Sequence, residues 1–161
     1  MSASSLTSSA HHSGLLLMRI ILGVVFMFHG SQKLFGLFGG PGLEGFAGFL
    51  GTLGVPLPML NAILASVAEF GGGLLLLVGL GTRLVAVPLV ITMLIAAFKV
   101  HGGAFSAQAS GLEYPLTLGL VTAGLGLTGA GAFSLDHVFA LAWQLKPVAN
   151  RIEPRRATQQ A

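Results

Sequence analysis

Residues 58–80 read PMLNAILASVAEFGGGLLLLVGL. As a helix this run reaches across a bilayer, whose ~30 Å hydrocarbon core needs about 20 residues. One residue breaks its apolar character, the carboxylate Glu69. A charge at the centre of a membrane costs roughly 2.5–3.5 kcal/mol even on lenient insertion scales, so such residues face a bundle interior and carry a partner. The fold is therefore the one that brings Glu69 its partner, and the rest of the chain is read for that partner.

Of the 161 residues, 53% are hydrophobic and 8% are charged, against about 25% charged in a typical soluble domain. That composition is an integral membrane protein's, of a length that suits one domain. Its 24 glycines against 7 prolines suit closely packed spanning helices, where small residues let backbones approach. The chain has no cysteine, which excludes a thiol–disulfide relay, a thiolate-held iron–sulfur cluster and a Cys-ligated zinc site built from its own residues. The net charge of +3 gathers mostly in the tail after Lys146 and bears on membrane orientation; nothing resembles a nucleic-acid-binding pattern.

Four apolar segments, at residues 15–34, 58–80, 84–100 and 113–135, predict an all-α, integral membrane four-helix bundle. Residues 1–14 are expected to form an N-terminal cytoplasmic tail, 15–135 the transmembrane domain and 136–161 a basic cytoplasmic tail. The first thirteen residues hold no Lys or Arg and no small-x-small cleavage site follows, so no cleaved signal peptide is expected. With both termini inside, the inner face receives Arg19 (by snorkelling), Arg83, Lys146, Arg151, Arg155 and Arg156, and the outer face only Lys33 and Lys99. The basic tail then lies near anionic lipid heads.

Between the first two spans, Leu43, Phe46, Phe49, Leu50 and Leu53 recur at helical spacing among glycines. They predict a short interfacial helix, acting either as a lid over the bundle mouth or as plain packing. The connection at 101–111 reads as a small, polar outer loop.

The polar residues within the spans fall into stripes. His29, Gln32 and Lys33 share one face of the first span. Glu69 shares a face with Ser66, Gly72 and Gly73, while Thr92, Ala96 and Lys99 line up on the third span, ending at His101. Glu113, Thr117, Val121, Gly124 and Thr128 form a stripe on the fourth. Apart from Arg19, every ionisable group embedded in the bundle is thus expected to converge on its outer half. There Glu69, Glu113, Lys33, Lys99, His29 and His101 are able to compensate one another. Lys33, Lys99 and Glu113 also sit near helix ends, where snorkelling to water is an equal reading. Glu69 is not open to it: 11 residues past Pro58, at ~1.5 Å each, lie about 16 Å down. His29 is placed to donate to a quinone carbonyl, ligate a haem or bond a neighbouring helix. The adjacent His11 and His12 do not make a metal site. Small residues Gly119, Ala123 and Gly126 offer an outer packing face for a homo-oligomer.

The segment His29-Gly30-Ser31-Gln32-Lys33-Leu34-Phe35-Gly36, with Glu69-Phe70-Gly71-Gly72-Gly73 running on to Gly79-Leu80-Gly81-Thr82-Arg83, resembles the DoxX family of small four-helix bacterial membrane proteins. The resemblance covers about residues 15–133. It implies a multi-pass protein of the bacterial inner (plasma) membrane and a quinone-linked or oxidative-stress-linked oxidoreductase subunit. The family takes its name from a subunit of a thiosulfate:quinone oxidoreductase. Without cysteine, sulfur chemistry here would fall to a partner.

Together these readings give a polar pocket with Glu69 and His29 as the catalytic pair, Lys33, Gln32, Lys99 and Glu113 as substrate-binding residues, and no metal. A quinone is the expected substrate and no intrinsic cofactor is expected. Since no nucleotide or flavin fingerprint is present, a redox partner protein is expected to supply electrons. The rival reading is a non-enzymatic scaffold, or a small transporter using Glu69 as its proton site.

Overall fold

The computed structural model describes the backbone of residues 3–152 and the side chains of residues 9–143. These residues are all-helical, with no strand among them: α1 (Ala3–Phe35), α2 (Gly42–Thr52), α3 (Pro58–Val78), α4 (Thr82–Ile95), α5 (Glu113–Thr128) and α6 (Leu135–Ile152). Short 3₁₀ turns at Leu37–Gly39 and Ala107–Ala109 mark the connections, and a π turn, Ala96–Val100, extends α4. Among the described residues, three stretches are long and apolar enough to cross a membrane: Ser9–Phe35, Pro58–Val78 and Thr82–Val100. The expected fourth span is shorter. α5 stops at Thr128 because Gly129 (φ 86°) and Gly131 (φ 77°) turn the chain out of the helix, so residues 129–134 are not part of it.

Helix also reaches into the segments expected as tails. Residues read as an N-terminal tail are helical from Ala3 onward and continue into α1, and α6 occupies the first part of the expected basic tail. The remainder of that tail, with Arg155 and Arg156, lies outside the described residues.

The organising contact is α1 against α3, antiparallel, with α4 packed on α3 and on α5, and α2 laid across α3 and the end of α1. Two glycines set the α1–α3 distance. A Cβ on Gly30 would run into the backbone of Phe70, and one on Gly73 would come within 2.7 Å of the Met27 nitrogen and 2.8 Å of the Gly23 oxygen. Backbone therefore meets backbone, which only small residues allow. Between α1, α3, α4 and α5, the side chains of Leu15, Leu22, Phe26, Leu76, Leu89, Met93 and Leu125 form one buried apolar cluster. A second, of Ala47, Leu50 and Ala62, fastens α2 to α3.

α5 differs from expectation in its rotation. Its buried face is Pro115, Gly119, Thr122 and Leu125; Thr117, Val121, Gly124 and Thr128 of the expected stripe are exposed. Gly119 faces Met93 and Gly126 faces Ala86 on α4. The small-residue face expected to serve an oligomer is thus consumed within the chain by α4–α5 packing.

The helix ends away from Lys33 are held by Arg19, for which the sequence predicts a place at the membrane surface. Arg19 is 1% exposed and does not snorkel. It donates to the carbonyls of Leu76 (3.2 Å) and Leu77 (3.4 Å) at the C-terminal end of α3 and of Ala130 (2.6 Å) in the loop after α5, a cation placed at a helix C-terminus. α3 ends there at Gly79 (φ 71°), with Leu80 N–H donating to Leu75 O. Asp136 closes the same corner by accepting from the N–H groups of Gly81 (2.8 Å) and Thr82 (3.3 Å) at the start of α4.

The glycine seam carries a direct expectation. Gly73→Ala forces α1 and α3 apart and costs about 1–3 kcal/mol, read as a lower unfolding midpoint in detergent. Gly71→Ala, where an added Cβ meets nothing within 4 Å, leaves the midpoint unchanged or raises it.

Candidate functional site

Glu69 lies on the buried face of α3 with Ser66, Gly72 and Gly73, and is 0% exposed. Its partner is Lys33 in the last turn of α1. The lysine Nζ donates to both carboxylate oxygens, at 2.5 Å to Oε1 and 2.6 Å to Oε2. The glycine seam makes this reach short: with Gly30 against Phe70, the end of α1 arrives level with the middle of α3. Lys33 keeps 24% of its side chain exposed, and the ring of Phe46 on α2 stands 5.2 Å from its Nζ, a cation–π contact.

Beside the pair opens a cavity of about 610 Å³, walled by the end of α1, α2, α3 and the C-terminal part of α4 with its π turn. Phe46, Phe49, Leu50, Leu64, Ile91 and Ile95 make it predominantly apolar; Gln32, Asn61, Thr92 and His101 join Lys33 and Glu69 as its polar groups. The volume is in the range of small-molecule sites, and the pattern of apolar walls with a few convergent polar groups is theirs too. Two irregularities in the third span shape its wall. Pro88, which removes one helical N–H, lines it, and the π turn ends it, His101 N–H reaching back to Ala96 O at 3.1 Å.

That π turn decides the fate of Lys99. A regular helix would align Thr92, Ala96 and Lys99; the wider π turn instead brings Val100 and His101 to the cavity and leaves Lys99 exposed outside it. Glu113 is also elsewhere. Its Oε1 accepts from the Ala107 N–H at 2.7 Å, folding back the loop before α5, and it lines no part of the cavity. His101 is fixed to that loop, its Nδ1 lying 2.7 Å from Ser110 O.

His29 borders the site at one remove. Its Nδ1–H donates to Gln32 Oε1 (3.2 Å), so the neutral ring presents Nε2 as acceptor for the Tyr114 hydroxyl (3.4 Å). Gln32 lines the cavity and His29 does not. The structure thus gathers Gln32, Lys33, Glu69 and His101, attaches His29 through Gln32, and leaves Lys99 and Glu113 apart. Two further polar residues carry no signal in the stripes: Asn61, in the first turn of α3, which lines the cavity and donates to Pro56 O at 2.7 Å, and Tyr114. Tyr114 is the chain's single tyrosine and stands one residue past Glu113, which was the available signal.

Residues 14–102 match the family model for DoxX. The chain belongs to the DoxX family. The DoxX match runs from α1 to the π turn, so it contains every element that walls the cavity and excludes α5 and α6. Curated relatives of this DoxX protein include "Putative oxidoreductase CatD" of Bacillus subtilis, 36% identical over 124 residues, 76% of this chain and 84% of the relative. "Inner membrane protein YqjF" of Escherichia coli is 31% identical over 133 residues, 81% of this chain and 95% of the relative. "Inner membrane protein YphA", also of Escherichia coli, is 30% identical over 129 residues, covering 76% and 88%. No solved structure matches the chain.

The ion pair is testable on its own. Lys33→Met leaves a fully buried carboxylate without compensation and should cost up to about 3 kcal/mol, the low end of the usual range because Lys33 keeps access to water. The double variant Lys33→Met with Glu69→Gln is expected to recover most of that loss. Unfolding midpoints of the two variants beside the native chain give the comparison, and a double variant no better than Lys33→Met would refute the pairing energy.

Proposed function

We propose that this DoxX protein is the membrane subunit of a quinone-linked oxidoreductase, and that the cavity beside Lys33 and Glu69 receives the quinone ring. The observation that carries the reading is the pairing of a lysine donor with a fully buried carboxylate on the wall of an otherwise apolar cavity. A quinone headgroup is a flat apolar ring with a carbonyl oxygen at each end. Phe46 and Phe49 supply aromatic faces for such a ring. Lys33 is a donor for one carbonyl oxygen, and Glu69 a carboxylate that takes up or releases a proton beside it.

Reduction of a quinone to its quinol consumes two electrons and two protons. The chain's own residues account for protons only. Glu69 and Lys33 hand both to the ring oxygens and regain them from the water that Lys33, with 24% of its side chain exposed, still reaches. Electrons come from a partner protein. The name of the Bacillus subtilis relative supports an oxidoreductase setting, and the names of the Escherichia coli relatives support the bacterial inner membrane.

In this reading α5 crosses as the fourth helix of the bundle. Its 16 residues span about 24 Å, short of the bilayer core, and its packing on α4 shields it from lipid on one side. α2 lies in the outer interface, where Phe46 closes over Lys33 as a lid. Both termini are cytoplasmic, which follows from the excess of Lys and Arg on that side.

Binding of a short-chain ubiquinone analogue to the purified protein tests the assignment. The native chain is expected to bind it, and Glu69→Gln, Lys33→Met and Phe49→Ala each to weaken binding by about tenfold or more, one lost contact being worth roughly 1.4 kcal/mol. Unchanged affinity in Glu69→Gln and Phe49→Ala together sinks the quinone reading. Should the protein alone instead drive pH-dependent solute uptake into liposomes, the transporter reading takes its place.

A further inference from the structure

A second cavity, of about 450 Å³, lies at the other end of the helices. Arg19 marks that end, and the 14 residues separating it from Lys33 along α1 place the two sites about 21 Å apart. The second cavity is built where the loop from Gly129 to Ser134 meets the start of α4 and the N-terminal part of α1, and its polar lining comes from Arg83, His12, His137, Thr128 and Asp136.

Among the described residues, its one carboxylate is already engaged, and its one guanidinium is not. The Asp136 carboxylate is already engaged by the N–H groups of Gly81 and Thr82 and lies within electrostatic reach of Arg19. Arg83 is exposed, and its guanidinium rests over Gly129, whose added Cβ would meet the Arg83 Nε at 3.3 Å. Among the described residues it has no hydrogen-bond or ion-pair partner. His12 accepts the Ala132 N–H at its Nδ1, 3.3 Å away, so its neutral ring carries the remaining proton on Nε2 as a donor. The cavity therefore presents a guanidinium fork and an imidazole N–H with no acceptor assigned to either.

One wall is of another kind. Leu84 lines the cavity and is 79% exposed, and Leu127, adjacent to the lining residue Thr128, is 84% exposed. An oxyanion placed against Arg83 and His12 would thus have apolar, outward-facing side chains at its flank. Arginine takes phosphate oxygens in a bidentate fork, and basic pockets at the ends of membrane helices suit lipid head groups. We propose that this cavity seats the phosphate of an anionic phospholipid, with Arg83 and His12 on the phosphate oxygens and the acyl chains running along Leu84 and Leu127. The site is independent of the quinone cavity and of whether that cavity holds a quinone.

The test uses the full chain, stripped of lipid in detergent and titrated with phosphatidylglycerol or phosphatidylcholine, with retained lipid read by native mass spectrometry. The native protein is expected to retain one phosphatidylglycerol with about tenfold preference over phosphatidylcholine, the worth of one charge-assisted contact. Arg83→Gln should remove the preference and Arg83→Lys restore part of it, while Arg156→Gln, an equal loss of charge in the tail, should keep it. If Arg83→Gln loses helicity, His12→Phe, which removes the imidazole donor, carries the same expectation. Undiminished preference in Arg83→Gln, or equal loss in Arg156→Gln, overturns the proposal. Displacement of phosphatidylglycerol by excess inorganic phosphate also overturns it and assigns the pocket to a soluble anion.

Discussion

A carboxylate with no access to solvent has to be met by a cation within hydrogen-bonding distance, and this requirement at Glu69 governs the arrangement around it. Lys33 meets it from the end of α1. A lysine one turn from a helix end reaches the middle of a neighbouring helix only if the two backbones nearly touch, which is what Gly30 and Gly73 permit. With α1 stopping at that level, α3 continues past it, and the space above the lysine is left for α2 to cover. Glycine seam, ion pair, cavity and covering helix are successive consequences of one buried charge.

Much of this was legible in the sequence. Glu69 announces itself as the only charge in a long apolar run, and the i, i+3, i+4 grouping of His29, Gln32 and Lys33 marks the face that meets it. The four buried small and polar residues of α3 were read correctly because a regular helix preserves periodicity. Spacing misleads where the helix is not regular or where its rotation is set by a neighbour. The π turn shifted Lys99 out of line, and no spacing rule for an ordinary helix anticipates it. On α5 the exposed threonine stripe and the buried glycine face were exchanged. Both faces are small and weakly polar, so the pattern carried little preference until α4 chose between them.

Arg19 shows a different limit. An arginine four residues past Leu15 in an apolar helix reads naturally as snorkelling to the surface. Three carbonyl acceptors at the end of α3 and in the loop after α5 hold it inside. Those acceptors are backbone groups more than fifty residues away, and backbone leaves no mark in composition. Their availability follows from where helices end, which is the least legible property of a sequence.

The placement of Arg19 and Lys33 on one helix has a mechanical consequence. Both side chains reach from α1 to α3, one to its C-terminal carbonyls and the other to its mid-helix carboxylate, about 21 Å apart along the helix. Two such tethers act as rivets on a double plate, opposing both sliding and relative tilt. A bilayer thinner or thicker than the protein's own apolar height then has to be met elsewhere. α4 is the member built to yield, with a proline midway and a widened last turn. Because that helix also forms a wall of the cavity, membrane thickness bears on the shape of the site while the ion pair beside it keeps its geometry.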